Sequence, residues 1–192
     1  EAAVFAQQLE SWGYSALWIP EAVGRDPFSM IGFLAAQTEK LIFATGIANI
    51  YARDAVLAKA IRQTCAEMLP GRFILGLGVS HPHLVERLRG HEWKPPVHKM
   101  REYLEAIDEA MYQGPKPEQE APTVIAALRP LMLKLAGEKA RGAHPYLVTP
   151  EHTRRAREIL GEGPWLCPEQ KLILETDADK AREIARRSLK VY

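Results

Sequence analysis

The chain has 192 residues, 47% of them hydrophobic and 26% charged, with 25 Lys and Arg against 24 Asp and Glu for a net charge of +1. That length suits one sizeable core, and those fractions are the ones of an ordinary soluble globular protein. Balanced charge provides no whole-molecule field to draw in nucleic acid or an anionic membrane, so a small-molecule partner is the better expectation.

Cys65 and Cys167 are the two cysteines and lie far apart, which excludes a disulfide framework and a Cys-x-x-Cys motif. A reducing, cytoplasmic setting is expected. Apolar stretches fall short of a membrane span, and no basic-then-apolar signal segment opens the chain. Glu1 and Tyr192 both fall inside helical patterns, so both ends are expected to be cut.

In chain order, Val4, Phe5, Leu9 and Trp12 predict a helix closed by Gly13. Ser15–Pro20 reads as a short apolar strand followed by Glu21. Asp26-Pro27 is a cap-plus-proline helix start. Leu41–Ala44 is a strand apolar on both faces, interrupted by Thr45-Gly46, where a glycine marks a bulge or a close ligand approach. Asp54 then caps a helix with Leu57, Ile61, Cys65 and Met68 as its apolar stripe. Phe73–Val79 is the next strand, and Ser80–Pro96 a long connection carrying His81, His83, His91 and Trp93. Met100, Tyr103, Leu104, Ile107 and Met111 form another helix face. A Pro-rich connector precedes a strand at Thr123–Leu128 and a helix at Pro130–Arg141. His144–Val148 is expected as a strand, Thr149-Pro150 as a helix start, Gln170–Glu175 as the sixth strand, and Asp177 as the cap of a closing helix with Ala181, Ile184, Ala185 and Leu189 inward. Strict alternation of short, doubly apolar strands with helices implies an α/β fold with a mostly parallel sheet, open and doubly wound or closed as a barrel.

Certain stretches resemble a family. Leu9-Glu10, Gly13-Tyr14 and Leu17-Trp18-Ile19-Pro20-Glu21, then Ala44-Thr45-Gly46-Ile47-Ala48-Asn49, then Gly71-Arg72-Phe73 with Leu75-Gly76 and Gly78, are similar to the luciferase-like monooxygenase superfamily. Ala126-Ala127-Leu128-x-Pro130, followed by Gly142 to Glu151, resembles its deazaflavin (coenzyme F420) branch. The resemblance implies a (β/α)8 TIM barrel as a single domain over 1–192, incomplete here, with strands like the second to seventh present and the first and eighth missing. It also implies a coenzyme across the C-terminal strand ends and a cis, non-proline peptide at Gly46–Ile47 behind its ring. The light-emitting members place a catalytic histidine just after the second-strand glutamate. Ala22 stands there, which weighs against oxygen-activating chemistry and less against hydride transfer.

The candidate catalytic residues are Glu21, at a strand end where active-site groups collect, and His81, as a proton donor facing the substrate. Glu21 could equally be a strand-end acid in a salt bridge. Coenzyme contacts are expected from Gly46, Ile47 and Asn49 at the bulge, from Gly78, Val79 and Ser80 after the next strand, and from Ala127 and Leu128. Arg129 and Thr149 are candidates for holding a phosphate. The Gly76-x-Gly78 run lacks the third glycine of a dinucleotide fingerprint, and His81 with His83 lacks further ligands, so no metal is expected. His144 reads as a satisfied buried histidine.

The primary expectation is an oxidoreductase moving a hydride between F420 and a small organic substrate. FMN is the alternative coenzyme, with a monooxygenase as the corresponding activity. The competing expectation is a non-catalytic, degenerate flavin-binding barrel acting as a subunit. Open barrel edges favour pairing with another copy, so a homo-oligomer, a dimer in the simplest case, is expected.

Overall fold

In a computed structural model, which describes residues 1–189, strand and helix alternate along the chain. The order is α1 (Ala2–Ser11), β1 (Ala16–Ile19), α2 (Pro27–Ala35), β2 (Ile42–Thr45), β3 (Ala48–Asn49), α3 (Ala55–Met68), β4 (Phe73–Gly78), α4 (Pro96–Glu109), β5 (Thr123–Ile125), α5 (Pro130–Lys139), β6 (Gly142–Ala143), α6 (Pro150–Leu160), β7 (Trp165–Leu166) and α7 (Ala178–Leu189). A π-helical turn at Leu84–Leu88 interrupts the connection after β4. Tyr192, expected inside the closing helix, lies outside the described residues.

Every ladder is parallel, and the sheet order is β1-β2-β4-β5-β6-β7 with β3 also on β4. β2 and β3 are two halves of one strand position parted at Gly46–Ile47, so seven short strands fill six positions. Neighbours in the sheet are neighbours in sequence, with no point where the order reverses, and a doubly wound sheet would need one. The sheet is therefore an arc of a parallel barrel, in which β1 and β7 are each paired on one side.

Local chemistry accounts for the helix starts. Asp26 accepts the Ser29 N–H at 2.7 Å, Asp54 the Leu57 N–H at 2.8 Å and Thr149 the His152 N–H at 3.3 Å, with proline at the first helical turn after Asp26 and Thr149. Between the arc and its helices lies the core, where Leu41, Phe43, Phe73, Leu75, Leu77 and Ile125 from the sheet are buried with Ile31, Met100, Ile107, Leu133 and Leu135 from the helices. Each such side chain contributes about 1.5–3 kcal/mol by leaving water. Glu10 ties α1 to the sheet: its carboxylate accepts the backbone N–H groups of Glu39, Lys40 and Leu41 at 3.1, 2.6 and 2.7 Å.

Several expectations are corrected. Gln170–Glu175 is not a strand; Leu172 and Leu174 are fully or almost fully exposed there. The position beside β6 is taken by β7, where the Trp165 N–H donates to Arg141 O at 2.8 Å and the Cys167 N–H to Ala143 O at 2.9 Å. His144–Val148 is not a strand either, because β6 ends at Ala143 and beyond it there is only an isolated bridge from Tyr146 to Glu169. On α3 the buried residues are Ala58, Gln63 and Ala66, and Leu57 and Met68 face solvent, so the stripe is rotated from the expected one. Small residues let that helix sit close to the sheet. Val4 and Phe5 on α1, Trp12 just past it, and Ile184 and Leu189 on α7 are likewise exposed, as is Met111 just past α4.

Candidate active site

All strand C-termini lie on one rim, and the rim is organised by the break between β2 and β3. Up to Thr45 the chain is in register with β1, Ile19 opposite Thr45. The Thr45 hydroxyl then takes over ladder bonding to β4, donating to Gly76 O at 2.7 Å and accepting the Gly76 N–H at 2.8 Å. Only glycine fits at position 76, where a Cβ would lie 1.8 Å from Thr45 O. The Gly46 N–H donates to Ile19 O at 2.9 Å, the Gly46–Ile47 peptide is cis, and Ile47 O accepts the Glu21 N–H at 3.3 Å. Re-aimed by this bulge, Ile47 covers Gly78, where a Cβ would meet its Cδ1 at 2.3 Å.

Glu21 holds the bulge from below. Its carboxylate makes a two-pronged pair with Arg53, at 2.7 and 2.8 Å, and also accepts the Asn49 N–H at 2.6 Å. Both side chains are nearly buried, 9% and 7% exposed, so the pair is shielded from water. The Arg53 guanidinium also sits 4.8 Å over the Phe28 ring, and the Tyr103 hydroxyl donates to Arg53 O at 2.9 Å. Burial pushes the Tyr103 hydroxyl well above its usual pKa of 10. The Asn49 Oδ1 accepts the Tyr51 N–H at 2.9 Å and steadies the loop into α3.

The other expected residues form a second group. Ala127 is buried, and Leu128 is 41% exposed with its carbonyl accepting from His152 Nε2 at 2.6 Å. His152 Nδ1 is then left buried without a partner among the described residues. Thr149 caps α6 beside it, and Arg129, exposed ahead of α5, has no ion-pair partner among the described residues. Val79 and Ser80 are half-buried. Ser80 has a φ of 65° and Leu147 a φ of 52°, left-handed conformations that are uncommon for residues other than glycine. His81 is exposed and stacks on His83 at 5.9 Å, touching neither group. The structure thus joins Glu21, Gly46, Ile47, Asn49 and Gly78 by direct contacts, and Leu128 with Thr149 through His152.

Between the edges of the arc lies a cleft of about 410 Å³ lined by Trp18, Pro20, Gly46, His144 and Cys167. His144 stacks on Trp18 at 4.5 Å and 13°, and its Nδ1–H donates to Cys167 O at 2.7 Å, leaving Nε2 as the free acceptor. Burial pushes this imidazole below its usual 6.5, outweighing the opposite pull of its hydrogen bond to the Cys167 carbonyl. His144 is the satisfied buried histidine expected, and also a wall of the cleft. Neither Arg53 nor His152 is among the candidate site residues of the sequence, and Trp18 enters there only through the family motif. An arginine just past the bulge, with an acid waiting at the preceding strand end, was the available signal for Arg53. Among the described residues no group of three His, Cys, Asp or Glu gathers for a metal, and no helix is long and apolar enough to cross a membrane.

Residues 1–187 match the model of the luciferase-like monooxygenase family. The chain belongs to that family. Among its relatives is the 5,10-methylenetetrahydromethanopterin reductase of Archaeoglobus fulgidus, 27% identical over 97% of this chain and 64% of the relative. The enzyme of the same name from Methanolobus tindarius is 29% identical over 73% of this chain and 48% of its own length. This chain thus spans about half to two thirds of the length of these two relatives. An F420-dependent secondary alcohol dehydrogenase, solved with an F420-acetone adduct, superposes with a TM-score of 0.80 at 16% identity, over 96% of this chain and 68% of that one. At that identity the likeness speaks for the fold, and it is the incomplete barrel of the luciferase-like type.

Proposed function

We propose that this chain carries the coenzyme face of an F420-dependent oxidoreductase acting on a small organic substrate. The observation that carries this is the rim built by Glu21, Arg53 and Gly78, which presents Ile47 and the backbone around it as a fixed apolar shelf at the C-terminal strand ends of a luciferase-like fold. Residues on this rim suit a flat, phosphate-bearing deazaflavin. Gly46 keeps the shelf free of a side chain toward Trp18 and His144, and Ile47 and Val79 supply apolar contact. Arg129 and the Thr149-capped start of α6 would receive the phosphate.

When bound, the deazaflavin supplies the hydride, or accepts it. The protein's own contribution is position and proton handling. Glu21 acts through Arg53 and Asn49 by holding the bulge in place, since both of its oxygens are already engaged. His81, exposed just past Ser80, is the group proposed to give or take a proton. Two copies pairing along the open sheet edges remain part of the proposal, as does a small-molecule substrate.

Titrating the protein separately with F420 and with FMN, followed by fluorescence, tests this. F420 is expected to bind saturably and FMN weakly or not at all. Binding of FMN alone would move the assignment to the alternative coenzyme, and binding of neither by a version carrying the full barrel would reject the enzyme and favour a non-catalytic subunit.

A further inference from the structure

The ring of His144 has only one of its two nitrogens accounted for. Nδ1 lies 2.7 Å from Cys167 O, and a carbonyl only accepts, so the proton of the neutral imidazole is on Nδ1 and Nε2 is a bare acceptor. Nε2 has no hydrogen-bond partner among the described residues, yet it is not one of the partnerless side-chain atoms shut off from solvent. Water therefore reaches it, although the residue as a whole is 7% exposed. Burial lowers the pKa of this ring, which favours the neutral, accepting form.

Two contacts fix where that atom points. The imidazole lies against the Trp18 indole at 4.5 Å and 13°, and the bond to Cys167 O sets its rotation within the stack. Nε2, on the other side of the ring from that bond, faces Gly46: a Cβ there would stand 3.4 Å from it. Gly46, Trp18 and His144 all line the cleft of about 410 Å³, so the acceptor belongs to its wall, beside the shelf. The cleft is part of the rim, because Pro20, Gly46, His144 and Cys167 are each the first residue past their strands β1, β2, β6 and β7. Its surroundings decide the ligand. Pro20, Pro168 and the Trp18 ring are apolar surface, and the one charged residue in the lining is Glu169, which is exposed. An anion is repelled by that carboxylate, and a cation would give up its hydration for apolar walls. A ligand with no hydrogen on oxygen or nitrogen would displace water from Nε2 and leave it unpaired.

We propose that this cleft is the substrate subsite and selects an uncharged, hydroxyl-bearing small molecule, an aliphatic or alicyclic alcohol, whose O–H donates to His144 Nε2 while its carbon skeleton lies against Trp18 and Pro20. The role of His144 is to hold the hydroxyl, and no proton leaves the ligand on binding. Naming the ligand a substrate rests on the coenzyme reading; the binding itself does not, and is measured without coenzyme.

Cyclohexanol, its methyl ether and cyclohexanone, of which the last two cannot donate a hydrogen bond, are titrated into the protein at one fixed pH above the ordinary imidazole range, followed by nitrogen NMR of the histidine rings. Cyclohexanol is expected to bind saturably and to move the Nε2 resonance of the histidine protonated at Nδ1 toward hydrogen-bonded values. The ether and the ketone are expected to bind about fivefold or more weakly and to leave that resonance in place. His144→Asn keeps an amide N–H for Cys167 O and has nothing in the place of Nε2, so it is expected to bind the three alike, and its spectrum identifies the resonance. Should that variant fail to fold, the comparison of alcohol with ether in the wild-type protein decides alone. Equal binding of all three to wild type, an Nε2 resonance unmoved at saturation, or no saturable binding would overturn the proposal. Alcohol binding without F420 binding would reject the coenzyme reading and leave the subsite, and F420 binding with no preference for the alcohol would do the reverse.

Discussion

At the scale of single residues, the Glu21–Arg53 pair and the two glycines of β4 carry the sharpest consequences. Arg53→Met leaves the Glu21 carboxylate buried with only the Asn49 N–H for company, and is expected to cost about 3–5 kcal/mol in urea unfolding. Adding Glu21→Gln to it should recover part of that loss, since the uncompensated charge is gone. Gly76 and Gly78 should separate fold from site. Gly76→Ala drives a Cβ into the Thr45 carbonyl, which is backbone and cannot step aside, so a loss of about 3 kcal/mol or failure to fold is expected. Gly78→Ala meets the end of the Ile47 side chain, which can turn away. That variant should stay folded by circular dichroism and bind F420 about tenfold or more weakly.

At the scale of elements, the junction of α1 with the start of β2 depends on one carboxylate. Backbone N–H groups of Lys40, Glu39 and Leu41 hold the Glu10 pKa below its ordinary value of 4.5. A lowered folded-state pKa stabilises the fold above the unfolded value, and that stabilisation is lost as pH falls through the lowered one. Thermal melts should therefore show Glu10→Gln below wild type at pH 7, with the gap closing in the acid range below 4.5. Equal gaps at pH 7 and pH 3 would count against this role. How elements were legible depends on the kind of signal each carried. Asp26-Pro27, Asp54 and Thr149-Pro150 announce their helices by cap chemistry that acts within four residues, and each cap forms as expected. β7 was not legible: Trp165-Leu166 is two residues long between Pro164 and Pro168, and only its ladder with Arg141–Ala143 makes it a strand. Leu172-Ile173-Leu174 had the better strand pattern and no neighbour to pair with.

At the scale of the whole molecule, an arc of six strand positions leaves β1 and β7 paired on one side and apolar side chains such as Phe5, Ile184 and Leu189 in water. Unpaired parallel edges and exposed apolar faces favour association. The 192-residue chain is expected to sediment as a dimer or larger species, and a monodisperse monomer by analytical ultracentrifugation would count against edge pairing.

By itself the sequence determined the alternation of strand and helix, the helix caps and the place where a strand breaks, because propensity, capping and turn chemistry act between near neighbours along the chain. From Glu21, Gly46, Ile47 and Gly78 it also marked the rim where chemistry is expected. Only the tertiary structure decided that Arg53 answers Glu21 and that His144 lies against Trp18. Those partners lie tens of residues apart or more, and what joins them is the parallel register of the strands, which fixes which strand ends meet and which side chains are shut away from water.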